Sequence, residues 1–211
     1  MLFFEPLSLC GELFLNLFLG VTALIRTRFV IRQIIFKLIQ TITNKVLYFS
    51  YGSNMSTPRI KHRVESATVI SVAHLHQHSL RFHKKSVDGS AKCDIAHTKS
   101  PNDLVYGVVF EILSREKHIL DKYEGLGNGY EEKTVSIILP DGESIAATTY
   151  YATHIDASLK PYHWYKEHVV RGAREHALSS DYIAAIEAIP SIADPDQDNH
   201  VKELSIYSNL Q

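Results

Sequence analysis

The sequence predicts an α+β protein with one mixed domain at residues 46–190, a helical N-terminal extension at residues 1–45 and an acidic C-terminal tail at residues 191–211. Three observations support this prediction. Short runs of β-branched and aromatic residues end at glycine and proline turns, helical patterns follow serines that can cap them, and a separate amphipathic pattern precedes the domain. With 211 residues, of which 45% are hydrophobic and 21% charged, the chain has ordinary globular composition.

Charge and cysteine content exclude some classes of function. The formal net charge is -1, and beyond residue 45 the chain has 17 basic and 21 acidic residues, so a broad basic surface and a nucleic-acid partner are not expected. The two cysteines, Cys10 and Cys93, fall in different predicted units, and a disulfide framework is not expected. A reducing, cytoplasmic setting fits this composition.

The N-terminal extension combines two patterns. Residues 7–25 are apolar, but Glu12 and Asn16 interrupt them and weaken the prediction of a membrane span. Residues 29–43 have apolar side chains at helical spacing, as in an amphipathic helix. Three alternatives stay open: a helix that associates the cytoplasmic domain with a membrane, an upstream extension without function, or a segment that packs on the domain.

The first part of the domain is predicted to contain a strand, a glycine loop and a helix. Residues 46–51 form the strand, Gly52 the tight loop, and Ser56 with Pro58 the start of a helix that ends near Arg63. Residues 67–85 suit one long strand or two, and a short strand surrounds Ile95.

The middle of the domain places an acid at the end of a helix. Residues 104–112 are predicted to form a strand, and Ser114 is predicted to cap a helix that ends at a left-handed Gly125. Glu124 then lies in the last helical turn, where unpaired carbonyl groups disfavour a negative charge. We therefore expect a raised carboxyl pKa for Glu124.

A hairpin and two helices complete the domain. Pro140-Asp141-Gly142 predicts a turn between strands at residues 134–139 and 144–152. Pro161 is predicted to begin a helix to about residue 176, and Ser180 to cap another to residue 189. Residues 191–211 are predicted to form a loose tail.

The Tyr51-Gly52-Ser53-Asn54 loop is the first candidate for chemistry. Glycine lets a backbone approach a ligand, and successive NH groups before a helix can receive a carboxylate or a developing oxyanion. Taken alone, this loop could be a plain tight turn and Glu124 a solvated surface acid. Their combination is more informative.

Three ordered motifs indicate a family. They are Tyr48-Phe49-Ser50-Tyr51-Gly52-Ser53-Asn54-Met55, Tyr106-Gly107-Val108-Val109-Phe110, and Leu120-Asp121-Lys122-Tyr123-Glu124-Gly125 with Tyr130 after it. In this order and spacing, over residues 46–189, they resemble the γ-glutamylcyclotransferase family, within the superfamily that includes AIG2-like proteins. The resemblance implies a mixed, mostly antiparallel small β-barrel with flanking helices.

The resemblance also implies an activity. A γ-glutamyl dipeptide or γ-glutamyl amine would be converted to 5-oxoproline and a free amino acid or amine, a reaction of glutathione metabolism, with Glu124 as general acid/base and without metal or organic cofactor. Asn54 stands where the glutathione-directed branch shows leucine, which favours the dipeptide branch. The alternative is a non-catalytic AIG2-like module that binds a small molecule or a partner through the same pocket.

The resemblance further implies a set of substrate-binding residues, and leaves the oligomeric state open, with a homodimer as one alternative. The implied residues are Tyr51, Gly52, Ser53, Asn54, Tyr130, Tyr150 and Tyr165.

Other candidate groups receive structural interpretations. His74, His76 and His78 alternate and are expected on one face of a strand, as polar side chains and not as a metal site. Cys93 has no signature of a reactive thiolate and is expected to be a buried thiol.

Overall fold

A computed structural model describes residues 44–208 of the chain. The predicted helical extension at residues 1–45 lies outside this range except for its last two positions, so it stays a prediction. Among the helices of residues 44–208, none is both long enough and apolar enough to cross a membrane.

Strands and helices follow one another along residues 44–208. The strands are β1 Lys45–Ser50, β2 Thr68–His76, β3 His78–Lys85, β4 Ala91–His97, β5 Leu104–Leu113, β6 Tyr130–Ile138 and β7 Ser144–Ala152. The helices are α1 Thr57–Arg63, α2 Lys117–Glu124, α3 His163–Glu175, α4 Ser180–Glu187 and α5 Gln197–Leu204. Short 3-10 turns occupy Ser53–Met55, Ser114–Glu116 and Ser205–Tyr207.

Five strands close into a barrel in the order β1-β5-β2-β6-β7. Neighbouring strands are antiparallel except β1 and β7, which run parallel where Tyr48 pairs with Thr148. Strands β3 and β4 form a separate antiparallel pair. The predicted mixed, mostly antiparallel small barrel with flanking helices is confirmed.

The β6–β7 hairpin forms at the predicted turn. The Asp141 carboxylate accepts a hydrogen bond of 2.9 Å from the Glu143 NH group, as expected of an aspartate in a tight turn. The strands pair continuously from Tyr130 and Ala152 to Ile138 and Ser144. Strand β6 therefore begins four residues before its predicted start at residue 134.

The hydrophobic core continues from the barrel into the loop and helix that follow β1. Phe49 in β1 and Phe110 in β5 are fully buried, and so are Met55 in the 3-10 turn and Ile60 in α1. Burial of each such side chain stabilises the fold by about 1.5–3 kcal/mol. The Tyr51–Asn54 loop is thus attached to buried anchors on both sides.

Three predicted helix starts are wrong. Ser114 opens a 3-10 turn without a side-chain cap, and α2 begins only at Lys117. The cap of α4 is Ser179, one residue earlier than predicted, whose hydroxyl accepts from the Tyr182 NH group. Pro161 lies before α3, because its carbonyl accepts a hydrogen bond of 3.0 Å from the Ile192 NH group and keeps this segment extended.

The predicted loose tail contains a helix that packs on the domain. Asp196 caps α5 by accepting from the Asn199 NH group at 2.9 Å. The buried Asp194 carboxylate accepts from the indole Nε1 of Trp164 at 2.7 Å. The acidic composition of this segment concealed a capped helix whose polar residues have specific partners.

Helix α3 packs closely against the chain that follows the Tyr51–Asn54 loop. A Cβ atom added at Gly172 would lie 2.5 Å from the Ser56 nitrogen and 2.6 Å from the Met55 carbonyl carbon. Both are backbone atoms and cannot rotate away. Gly172 therefore permits the close approach that holds the loop against α3.

We expect Gly172→Ala to lower the free energy of unfolding by about 1–3 kcal/mol, because overpacking outweighs the gain in helix propensity. Urea denaturation measures this change. Arg174→Ala is the control, since Arg174 is exposed on the same helix and its ion pair with Glu187 lies at the surface. A Gly172→Ala protein as stable as the control would contradict the packing argument.

Candidate active site

The loop after β1 and the end of α2 form the two sides of one pocket. All eight site residues named from the sequence line it, together with Tyr48 and Cys93: Tyr51, Gly52, Ser53, Asn54, Glu124, Tyr130, Tyr150 and Tyr165. The fold therefore brings the predicted site residues together in space.

The Glu124 carboxyl group is held by one oxygen. Its Oε1 atom accepts from the Asn54 Nδ2 atom at 2.5 Å and from the Tyr48 hydroxyl at 3.2 Å. Its Oε2 atom accepts no hydrogen bond from any residue in the range 44–208. One oxygen thus fixes the orientation of the carboxyl group, and the other is free to contact a ligand.

The pKa of Glu124 is raised, in the predicted direction but from a different cause. Burial of the carboxyl group is the largest contribution, because desolvation disfavours the charged form. The positive charge of Arg63 and the Tyr48 hydrogen bond oppose this rise. The carboxyl group can therefore both accept and release a proton closer to neutral pH than an exposed glutamate can.

Arg63 determines how Asn54 faces Glu124. The Arg63 Nη1 atom donates to the Asn54 Oδ1 atom at 2.9 Å. A guanidinium group can only donate, so the amide oxygen of Asn54 must face it, and the amide nitrogen then faces Glu124. Arg63, Asn54 and Glu124 form a chain of hydrogen bonds that starts at the end of α1.

The backbone of the loop presents unused donors. The NH groups of Gly52, Ser53 and Asn54 donate to no acceptor in the described part of the chain, whereas the Met55 NH group bonds the Gly52 carbonyl at 3.0 Å. These are the first NH groups of the 3-10 turn. Residues 52–54 also line the pocket, so their NH groups are available for an anionic atom there.

The four tyrosines chosen from the sequence build the pocket walls. The hydroxyl of Tyr51 donates to the Tyr150 carbonyl at 2.7 Å, and that of Tyr150 donates to the Asp121 carboxylate at 2.5 Å. The hydroxyl of Tyr130 donates to the Cys93 carbonyl. The hydroxyl of Tyr165 accepts from the Cys93 NH group at 3.0 Å. These bonds join β4, β7 and α2 around the pocket.

Sequence reasoning missed Tyr48 and Arg63 as site residues. Tyr48 belongs to the first family motif, and burial raises the pKa of its hydroxyl, which therefore stays protonated and donates to Glu124. Arg63 lies at the end of α1, where a basic residue has an ordinary structural explanation. No local signal distinguishes it from the neighbouring Lys61.

The structure places the three alternating histidines and Cys93, for which the sequence predicted structural roles. His78 is the first residue of β3, beyond a turn at Gln77, so the expected single strand face for His74, His76 and His78 is wrong. Cys93 is buried as expected, and burial raises the pKa of its thiol. The protonated thiol is a poor nucleophile, although it lines the pocket.

Comparison with known proteins supports the resemblance. A sequence profile of the AIG2-like family matches residues 104–186. Relatives described as gamma-glutamylcyclotransferase from Bos taurus and Homo sapiens are 33% and 32% identical to this chain over 153 residues, which cover 68% of this chain and 78% of each relative.

Structural comparison agrees. A solved structure described as a gamma-glutamyl cyclotransferase has a TM-score of 0.67 and 28% identity, covering 76% of this chain and 99% of its own. The chain therefore belongs to the γ-glutamylcyclotransferase family of enzymes.

Proposed function

We propose that this protein cyclises a γ-glutamyl dipeptide or γ-glutamyl amine to 5-oxoproline and releases the free amino acid or amine. The observation that carries the proposal is that the Glu124 carboxyl group, whose pKa is raised, lines one pocket together with residues 52–54, whose NH groups donate to no acceptor within residues 44–208. The names of the relatives support the same reaction class.

The reaction needs orientation more than an external nucleophile. The α-nitrogen forms a bond to the carbonyl carbon of the γ-amide in the same molecule, and the bond from that carbon to the leaving nitrogen breaks. The proton lost by the α-amine ends on the leaving nitrogen, so the atoms balance without water. A pocket that holds the γ-glutamyl group bent lowers the barrier by restricting the substrate to the conformation in which the α-amine lies against its own γ-carbonyl.

Glu124 transfers the proton in this proposal. Its ionised form accepts the proton of the α-amine through the free Oε2 atom and then donates it to the leaving nitrogen. The bonds from Asn54 and Tyr48 hold Oε1, so the carboxyl group keeps one orientation during both steps. The raised pKa suits a group that must act as base and then as acid.

The loop backbone stabilises the oxyanion. As the α-amine attacks, the carbonyl oxygen gains negative charge, and the NH groups of Gly52 and Ser53 are fixed donors on the same pocket wall. These groups lose little freedom in the transition state because the 3-10 turn already orients them.

Asn54 supports the choice of the dipeptide branch. Its side chain bonds Glu124 directly, and a leucine at the same position could not donate this hydrogen bond. A glutathione-directed site with leucine must hold its glutamate differently. We therefore propose small γ-glutamyl dipeptides or amines as substrates in preference to glutathione.

We expect Glu124→Gln to reduce 5-oxoproline release by about 10²–10⁴-fold, the usual contribution of a general acid/base, because the amide can neither accept nor return the proton. Mass-spectrometric detection of 5-oxoproline after incubation with γ-glutamyl dipeptides and amines measures the loss. Glu131→Gln is the control, since Glu131 is exposed on β6. Full activity of the Glu124→Gln protein would reject the proposed role.

We expect Arg63→Met to slow cyclisation and to move the low-pH limb of kcat/KM to higher pH. The rate rises as Glu124 loses its proton, and the Arg63 charge now lowers the pKa of Glu124. Without the Arg63 charge, less opposes the effect of burial, so the pKa of Glu124 rises further. A pH profile from pH 4 to pH 9, with steps of about half a unit, measures the shift.

Lys61→Met is the matched control for this change, because Lys61 is exposed on the same helix. Its pH profile should match that of the unchanged protein. A low-pH limb at the same position in the Arg63→Met protein would show that Arg63 does not control Glu124 through its charge.

A further inference from the structure

A largely buried lysine beside the pocket has no acidic partner within residues 44–208. Lys84 in β3 is only 7% exposed. In residues 44–208, the partly buried Lys92 and Lys117 pair with Asp88 and Asp121, but no ion pair or hydrogen bond involves the Lys84 ammonium group. Its Nζ atom lies 4.8 Å from the centre of the Tyr130 ring, a cation–π contact with a wall of the pocket.

The Lys84 ammonium group lies at the edge of the pocket. The segment 125–129 joins Glu124 to Tyr130, two residues that line the pocket. A Cβ atom added at Gly129 would lie 3.3 Å from the Nζ atom of Lys84. The Lys84 ammonium group therefore lies near Gly129 and the Tyr130 ring, and Lys84 is not among the residues that line the pocket itself.

Electrostatics connect Lys84 to the same site. Burial lowers the pKa of Lys84, and the negative charges of Glu124 and Asp88 oppose this fall. The Lys84 charge in turn helps to hold down the pKa of Glu124. The Lys84 side chain is largely buried while its ammonium group is only partly enclosed, and no paired anion lies beside it in residues 44–208. Such a group favours a bound anion.

A bound dipeptide would place its two parts in different surroundings, the γ-glutamyl group in the pocket and the leaving amino acid nearer to Lys84. Glu124 and the loop donors line the pocket and act on the γ-glutamyl group in the proposed reaction. The leaving amino acid must then extend beyond these residues. It carries one more carboxylate than a leaving amine, and a lysine ammonium group is a compact charge suited to bind it.

We propose that Lys84 forms a subsite for the carboxylate of the leaving amino acid, and that this subsite selects γ-glutamyl dipeptides over γ-glutamyl amines. The inference rests on the proposed cyclisation. It assigns Lys84 a role in specificity, whereas proton transfer stays with Glu124.

The unchanged protein provides the first test. γ-Glutamyl-alanine and γ-glutamyl-ethylamide differ in the carboxylate of the leaving group, and kcat/KM for 5-oxoproline release is measured for both. A charge-assisted hydrogen bond should favour the dipeptide by about tenfold or more. A ratio near one overturns the subsite without any variant. Release from neither substrate overturns the proposed cyclisation, and with it the subsite.

The variants test the residue. In Lys84→Met, the preference for γ-glutamyl-alanine should fall by about tenfold, with kcat/KM for γ-glutamyl-ethylamide changed much less. Lys84→Arg should retain a preference for γ-glutamyl-alanine, because arginine keeps the positive charge. Lys85→Met, next in sequence and exposed, is the control and should keep the full ratio.

The ratio of kcat/KM for the two substrates distinguishes a carboxylate subsite from a purely structural role of Lys84. A purely structural lysine would lower kcat/KM for both substrates in Lys84→Met by the same factor, and that result overturns the proposal. If Lys84→Met does not fold, the ratio in Lys84→Arg and the salt dependence of the ratio in the unchanged protein remain as tests. A dipeptide preference that does not fall with increasing salt would also overturn it.

Discussion

The hydrogen bond between Asn54 Nδ2 and Glu124 Oε1 is the contact on which the site depends. It joins the loop after β1 to the end of α2, two segments 70 residues apart in sequence. One segment supplies backbone donors and the other supplies the carboxyl group, so this bond sets the space between them. Arg63 orients the Asn54 amide by donating to its oxygen, and the Tyr48 hydroxyl, from strand β1 of the barrel, donates to the same Glu124 oxygen.

Positive charges around Glu124 oppose the rise in its pKa that burial causes, but they do not cancel that rise. Burial favours the protonated form of the carboxyl group, and this form cannot accept a proton. Arg63 and Lys84 oppose this effect from two different elements, α1 and β3, and neither forms an ion pair with Glu124 in the described chain. Direct pairing would hold the carboxylate ionised and make it a poor acid. Indirect compensation suits the proposed role of Glu124, in which the carboxyl group accepts a proton and then releases it.

Local signals in the sequence predicted the local structure well. Proline, aspartate and glycine at 140–142 predicted the β6–β7 turn, and the left-handed end of α2 at Gly125 is observed with φ of 74°. The family motifs predicted the closed barrel. The start of α3 was missed because the extended backbone at Pro161 depends on Ile192, about 30 residues later in the chain.

Contacts between distant segments account for what sequence reasoning did not find in the site. Tyr48 and Arg63 reach Glu124 and Asn54 only because β1, α1 and α2 converge, and nothing in the local sequence of Lys84 marks it as unpaired. The C-terminal segment was misread for the same reason. The Tyr207 hydroxyl bonds the Ser56 Oγ atom at 3.0 Å and the His168 Nδ1 atom at 2.6 Å. Since Ser56 follows the loop directly, the segment expected to be loose helps to hold the active-site loop against α3.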